Sequence, residues 1–474
     1  MMPRAAPPQA VPSTVRMGEA SGRWVLLAAV LGSGMAFIDV TAVNVALPRI
    51  GRDLDAPLSA LQWTVSGYTL TLAAFILLGG SLGDRYGRRR VYLVGTTWFA
   101  VASLLCALAP DPATLIAARV LQGVGGALLT PGSLAMLQSS FVPEHRARAI
   151  GAWSGLLGTA GAVGPLLGGY LVDAVSWRAV FLINLPLAGV AVLLTLRRVP
   201  ADLPAQPAGR FDLAGAALCA LGLAALTQAL VAAGEGGAPG PTVLATGSVG
   251  LALLAGFVLV ERRQSDPMMP PELFASRLFS VTNLVTFVMY GALGGLLFML
   301  GLQLQLVAGF SALAAGAAML PTTALMLLFS ARAAALAERI GPRWPMTIGP
   351  AVAACGVLAM ARIGPGADYL TDVLPAATLF GVGLTLTVAP LTATALAAAP
   401  VERAGVASGV NNAVARVAGL LAVAALPVLA GLAGSDAQDP VALNAGFGRA
   451  MVGCAGLLAV GSIIALAGIR RPPS

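Results

Sequence analysis

The chain contains no lysine, one histidine (His145) and four cysteines, and only 10% of its 474 residues are charged. Each shortage removes a class of function. Without lysine there is no Gly-x-x-x-x-Gly-Lys-Ser/Thr phosphate loop, which excludes an ATP-driven motor of that type. Cys106, Cys219, Cys355 and Cys454 lie singly inside apolar runs, with none of the paired spacings of disulfide frameworks or metal sites. They read as small apolar residues. His145 stands between Glu144 and Arg146 in a charged loop, where it reads as a solvated side chain rather than a proton relay. With no nucleophile beside a base and no cluster of ligands, neither an enzyme nor a metal site is expected. The net charge of +8 is arginine's alone and gives no ground for a nucleic-acid partner.

What the chain has is apolar length. Hydrophobic residues make up 58% and the mean hydropathy is +0.86, values that belong to a polytopic membrane protein. A spanning helix needs about 20 mostly apolar residues. Fourteen such runs are centred near residues 36, 71, 101, 126, 160, 188, 222, 250, 290, 321, 353, 381, 418 and 458. An even number puts both termini on one side. The arginines choose the side: with the termini inside, 21 of the 28 fall in cytoplasmic segments, among them Arg4, Arg16, Arg85, Arg88, Arg89, Arg90, Arg332, Arg470 and Arg471. Arg49, Arg52, Arg178, Arg362 and Arg449 fall outside. The first 20 residues lack the apolar core and cleavage site of a signal peptide and read as a disordered cytoplasmic tail.

Two loop signatures recur half a chain apart. Gly80-Ser81-Leu82-Gly83-Asp84-Arg85-Tyr86-Gly87-Arg88-Arg89-Arg90 returns in worn form as Glu338-Arg339-Ile340-Gly341-Pro342-Arg343, with Asp84 and Glu338 254 residues apart. Pro143-Glu144-His145-Arg146-Ala147 returns as Pro400-Val401-Glu402-Arg403-Ala404, with Arg146 and Arg403 257 apart. The runs therefore divide into a six-helix half at 21–200, linkers and two extra helices at 201–272, and a second half at 273–470. Such internal duplication is common among secondary transporters, whose site lies at the repeat interface.

Three charges fall well inside predicted spans: Asp39, Arg119 and Arg416. A charge at mid-depth costs about 3 kcal/mol on insertion scales and needs a partner or a task. At 1.5 Å per residue, Asp39 and Arg119 both lie about 9 Å from the outer boundary. If their helices are neighbours, the two form either a pair that a proton can break or a static salt bridge. Arg119 shares a helical face with Gln122 and Gly123, and Arg416 shares one with Asn412 and Gly419. Arg416 has no acidic partner in the second half's spans. Gly151, Gly155, Gly158, Ala162, Pro165 and Gly169 make one face of helix 5 nearly bare backbone, suited to close packing or, around Pro165, to bending. The order of Gly80, Gly83, Asp84, Arg85, Gly87 and Arg88 predicts close packing, a tight turn and a cytoplasmic latch of charge pairs.

These residues resemble the major facilitator superfamily, in its fourteen-helix drug:proton antiporter branch. Gly80 to Arg90 is similar to the family's cytoplasmic loop motif, Arg119-Val120-Leu121-Gln122-Gly123 to its helix 4 motif, and Gly161-Ala162-Val163-Gly164-Pro165-Leu166-Leu167-Gly168-Gly169 to its antiporter motif in helix 5. Asp39 to Pro48 resembles the helix 1 signature of the branch, and Trp177-Arg178 followed by Phe181 to Pro186 is typical of it. The resemblance implies an all-α membrane protein of fourteen transmembrane helices that exports small molecules by rocking two halves. Asp39 and Arg119 would serve proton coupling, while Asn44, Gln122, Asn412 and Arg416 would line the substrate cavity. Asp84 would act in the gate. No cofactor is expected, because one proton crossing 100 mV supplies about 2.3 kcal/mol, enough for roughly a fifty-fold gradient. The expected partners are substrate, protons and plasma-membrane lipid around a monomer. Proton-coupled uptake on the same fold is the alternative.

Overall fold

The computed structural model describes residues 15–200, 212–235, 240–264, 267–399, 404–432 and 439–469. The rest of the expected tail, most of the first linker and Pro400 to Arg403 of the second loop signature lie outside the described residues, as do Arg4, Arg210, Arg470 and Arg471. The chain forms helices α1 (Ala20–Asp53), α2 (Leu58–Tyr86), α3 (Arg88–Leu108), α4 (Pro112–Ser140), α5 (Pro143–Ala174), α6 (Ala179–Arg198) and α7 (Leu213–Ala233). It continues with α8 (Pro241–Arg263), α9 (Arg277–Val307), α10 (Ala312–Ile340), α11 (Arg343–Met360), α12 (Tyr369–Ala397), α13 (Ala404–Leu429) and α14 (Pro440–Gly468). Among the described residues, thirteen of these helices are long and apolar enough to cross a membrane; the exception is α11.

Local chemistry marks the ends. Asp111 accepts the Thr114 N–H at 2.9 Å to start α4, with Pro112 in the first turn. Asp439 does the same for α14 through Val441 N–H, and Ser311 for α10 through Ala314 N–H. Gly87 ends α2 at φ 101° and Gly341 ends α10 at φ 83°. Both torsions lie in the left-handed region that favours glycine, so the worn second loop keeps the turn of the first. In contrast, the close approach between α2 and α4 falls at Gly79, against Ala127 O. At Gly80 and Gly83, predicted to allow tight packing, a Cβ would find neighbours only at ordinary contact distance.

The packing repeats as the loops do. Within α1–α6 the most extensive contacts are α1 with α5 and α6, α2 with α4, and α3 with α4 and α6, and α1 also touches α4. Shifting each by eight gives the contacts within α9–α14: α9 with α13 and α14, α10 with α12, and α11 with α12 and α14. Helices α7 and α8 pack on each other, and α7 also touches α2 and α13.

The two sets meet along α2 and α13, where Leu77 lies against Gly409, and again at the end of the bundle away from Val15 and Ile469. There Gln62 Nε2 donates to the carbonyls of Val423 (2.8 Å) and Ala424 (3.1 Å), and Gln305 Nε2 donates to Val45 O at 2.9 Å. Asp173 accepts the first N–H groups of α10, from Ala312 and Leu313 at 3.2 and 2.8 Å. Along α5 the contact does not continue. A Cβ at Gly169 would lie 2.5 Å from Ala312 O, and one at Gly168 would lie 2.6 Å from Ala42 Cβ, yet Gly151, Gly155, Gly158 and Gly161 have nothing within 4 Å. The predicted close-packed face is real over half of its length only.

Three expectations need correction. Residues 15–19 of the tail are ordered: Val15 and Met17 join an apolar cluster with Phe141, and Val142 N–H donates to Val15 O at 3.2 Å. His145, half-buried in the first turn of α5, accepts the Met17 N–H on Nδ1 at 3.2 Å and is therefore no solvated loop residue. Arg332 and Arg449, assigned to loops, belong to α10 and α14, because the helices run past the apolar runs.

Candidate functional site

Asp39 and Arg119 meet. The α1–α4 contact brings Asp39 Oδ2 to 2.5 Å from Arg119 Nη1, and the two side chains are 0% and 1% exposed. Such a pair is tolerable away from water only when its remaining lone pairs and protons are also engaged. Asp39 Oδ1 accepts from Gln122 Nε2 at 2.8 Å and from Asn184 Nδ2 at 2.9 Å. Arg119 donates through Nη1 to Gln122 Oε1 at 2.5 Å and through Nε to Thr64 O at 3.1 Å. Ser103 Oγ accepts from both amides, at 2.8 Å from Gln122 and 3.3 Å from Asn184. The guanidinium also lies 4.4 Å from the ring centre of Tyr68 and 5.8 Å from that of Phe181, within cation–π range. Four helices of the first set, α1, α3, α4 and α6, thus close a dry polar cage around one carboxylate, and α2 adds the Thr64 carbonyl.

Gln122 was expected in the substrate cavity. It is fully buried in this cage instead, because its face of α4 turns toward α1 and α3. The cage also contains Asn184 and Ser103, which the sequence did not single out. Asn184 is an amide inside an otherwise apolar run, and its cost in lipid was the available signal.

The remaining cavity candidates lie where the two sets face each other. Arg416 is half-buried on α13, its Nε 3.4 Å from Asn412 Oδ1 and its guanidinium 5.8 Å from the ring centre of Phe37 on α1. It makes no ion pair among the described residues. One turn away, Asn411 Nδ2 donates to Asn283 Oδ1 (3.1 Å) and Thr286 Oγ1 (2.8 Å), fixing α13 to α9. Asn44 is half-buried on α1, with its amide oxygen buried and unpartnered. At the loop motif, Arg88 Nη1 donates to Ala135 O at the end of α4, and Arg89 donates to Thr195 O and Leu196 O at the end of α6. These bonds place cations on helix C-termini, where the macrodipole favours them. Arg85 stands in the last turn of α2, its guanidinium 5.7 Å from the Tyr86 ring centre. The Asp84 side chain lies outside the described residues. In the helix 5 motif, a side chain at Gly164 would strike Thr41 on α1, and one at Gly316 on α10 would strike the Pro165 carbonyl. No group of three or more metal-ligating side chains occurs among the described residues.

The sequence profile of the Major Facilitator Superfamily matches residues 29–423. The chain belongs to that superfamily. It is 37% identical over 421 residues to the puromycin resistance protein of Streptomyces alboniger, covering 88% of this chain and 83% of that one. It is 35% identical to the tetracenomycin C resistance and export protein of Streptomyces glaucescens, over 89% of this chain and 78% of that one. It is 38% identical to the multidrug resistance protein Stp of Mycobacterium tuberculosis, over 82% and 72%. Solved structures share the fold at low identity. A bacterial homologue of the human lysosomal transporter Spinster, inward-facing and unoccupied, superposes with a TM-score of 0.67 at 17% identity, covering 95% of this chain and 97% of that one. A D-xylose–proton symporter gives 0.66 at 14% identity, over 94% and 98%. This superfamily member is a multi-pass membrane transporter.

Proposed function

We propose that the chain exports hydrophobic or amphipathic small molecules, drugs and antibiotics among them, across the bacterial plasma membrane in exchange for protons. The class of cargo follows the relatives, whose names record resistance to puromycin, resistance to and export of tetracenomycin C, and multidrug resistance. In this reading all fourteen helices span the bilayer with both termini cytoplasmic, α1–α6 and α9–α14 are the two rocking halves, and α7 and α8 are additions.

The coupling mechanism rests on the Asp39 cage. Asp39 is sealed while α5 and α10 are joined at the outer end, and its charge is held by three donor contacts, one each from Arg119, Gln122 and Asn184. When the halves tilt the other way, α1 moves with the seam it shares with α5, and Asp39 opens to the outside and takes a proton. Neutral Asp39 releases Arg119. On the way back to the present arrangement the proton leaves to the inner side, and Arg119, Gln122 and Asn184 then close again around the ionised carboxylate. Arg416, Asn412, Asn44 and Phe37 face the cargo from opposite halves, and the segment from Gly80 to Arg89 holds the cytoplasmic ends of α2, α3, α4 and α6 together during the tilt. The protein works as a monomer in lipid, takes no cofactor and draws its energy from the proton-motive force.

Proteoliposomes carrying the purified protein test the reading: a fluorescent amphipathic dye is expected to move against its gradient only while a proton gradient is maintained. Equal transport with every proton gradient collapsed would refute the coupling. Cells lacking the protein are expected to accumulate more dye, whereas nutrient starvation in its place would favour uptake.

A further inference from the structure

Outside the cage, two more carboxyls are buried and face each other. Asp212, at the start of α7, is 4% exposed, and Glu261, in the last turn of α8, is 1% exposed. Their outer oxygens are supplied by donors. Asp212 Oδ1 accepts from Gly215 N–H at 2.6 Å and from Gln264 Nε2 at 2.7 Å, and Glu261 Oε2 accepts from Met269 N–H at 2.8 Å. Their inner oxygens, Asp212 Oδ2 and Glu261 Oε1, are buried with no hydrogen-bond donor among the described residues. Both inner oxygens crowd the same face of Gly215, where an added methyl group would strike each of them, so the two carboxyls are direct neighbours.

Two carboxylates this close in a dry site do not both stay ionised; something positive lies between them. A metal ion fits poorly. Hard cations take six or more oxygens, and here every other neighbour is an N–H donor aimed at the carboxyls. Among the described residues no arginine donates to either inner oxygen: Arg262 and Arg263 are exposed on α8. On the elements packed against the pair, the ionisable groups among the described residues are Cys219 on α7, Tyr68, Arg85 and Tyr86 on α2, and Arg416 on α13. Past the Met269 linker, Glu272 opens the next turn.

We propose that Asp212 Oδ2 and Glu261 Oε1 hold a single proton between them, a proton-binding site separate from Asp39. The shared proton joins the first turn of α7 to the last turn of α8. Through Met269 N–H it also fastens the segment that leads into α9, so the hairpin and the chain connecting the two six-helix sets are clasped at one point. Gaining the proton closes the clasp; losing it to an alkaline medium leaves two facing anions that push α7 and α8 apart.

Infrared titration of the purified full-length protein, with H2O exchanged for D2O at neutral pH, reads this proton through the C=O stretch of a protonated carboxyl. The band is expected in the wild type, retained in Asp39→Asn, and lost in both Glu261→Gln and Asp212→Asn. Its absence from the wild type, or its persistence in both clasp variants, overturns the proposal. Thermal unfolding gives a second readout. The wild-type midpoint is expected to fall as the buffer goes from mildly acidic to alkaline, because the folded protein loses a stabilising proton. In either amide variant an N–H donor fills the same gap, and that slope is expected to be lost while the fold is kept. Identical slopes in the wild type and both variants overturn the clasp, and either result leaves dye transport as an independent measurement.

Discussion

In α1–α6 the buried acid and base have found each other. Asp39 is surrounded by donors from Arg119, Gln122 and Asn184, and no polar atom of the pair reaches water. In α9–α14 the corresponding region holds Arg416, half-buried, with one long contact to Asn412 and an aromatic ring of the other set nearby. The packing of the two sets is the same, helix for helix, so the contrast does not come from the fold. It comes from which side chains were placed on it, and it divides the labour proposed above: a neutralised, fully coordinated charge suits a switch, and a half-buried charge without an ion pair among the described residues suits contact with cargo.

The largest effect is expected from breaking the first arrangement. Asp39→Asn leaves Arg119 buried without its counter-charge, a change of about 3–5 kcal/mol. Proton-driven dye transport in proteoliposomes is expected to disappear, with a lower unfolding midpoint; transport near the wild-type rate would end the coupling role. Next comes Asn184→Ala, which removes one donor from Asp39 and leaves the ion pair. A loss of about 1–3 kcal/mol is expected, read as a smaller drop in midpoint with slowed but measurable transport. If the variant matches the wild type in both assays, the amide is not part of the working cage.

A third pair of substitutions tests the halves of the α5 face. Gly169→Leu puts a side chain where Ala312 O stands 2.5 Å from the position of its Cβ, so it is expected to cost about 1–3 kcal/mol by overpacking. Gly155→Leu meets open space in this arrangement and is expected to leave the midpoint nearly unchanged while hindering transport, because the other arrangement closes over it. Equal midpoints for the two would erase the distinction. The smallest change in stability, within about 0.5 kcal/mol, is expected for Arg416→Ala. There the readout is the range of dyes and drugs exported, which should shift while proton dependence stays; an unaltered range would remove Arg416 from the cavity.

Much of this was legible in the sequence because lipid enforces a simple rule. Apolar runs of spanning length, a signature repeated 254 residues on and arginines crowded on one side led to the helices, and two opposite charges at equal depth led to the Asp39–Arg119 pair. What escaped did so for physical reasons. Asn184 and Ser103 are neutral, and a neutral polar residue in a span does not announce which charge it serves. The glycine spacing in α5 says that a helix can approach but not along which half it does. Asp212 and Glu261 stood at the edges of runs as ordinary boundary residues, and only the hairpin that folds α7 onto α8 reveals that they are buried together. Gln122 shares a face with Arg119, as spacing required, but spacing could not tell a cavity wall from the interior of a cage.

Gly87 and Gly341 carry a record that the letters around them have partly lost. Of the first loop's eleven residues, few survive in the second, yet both chains reverse through the same rare torsion at the same joint. Backbone geometry at an obligatory bend drifts more slowly than the identities of its neighbours. Ancestral doubling in other bundles is therefore best sought by comparing where the main chain turns left-handed, even after alignment of the residues themselves has gone silent.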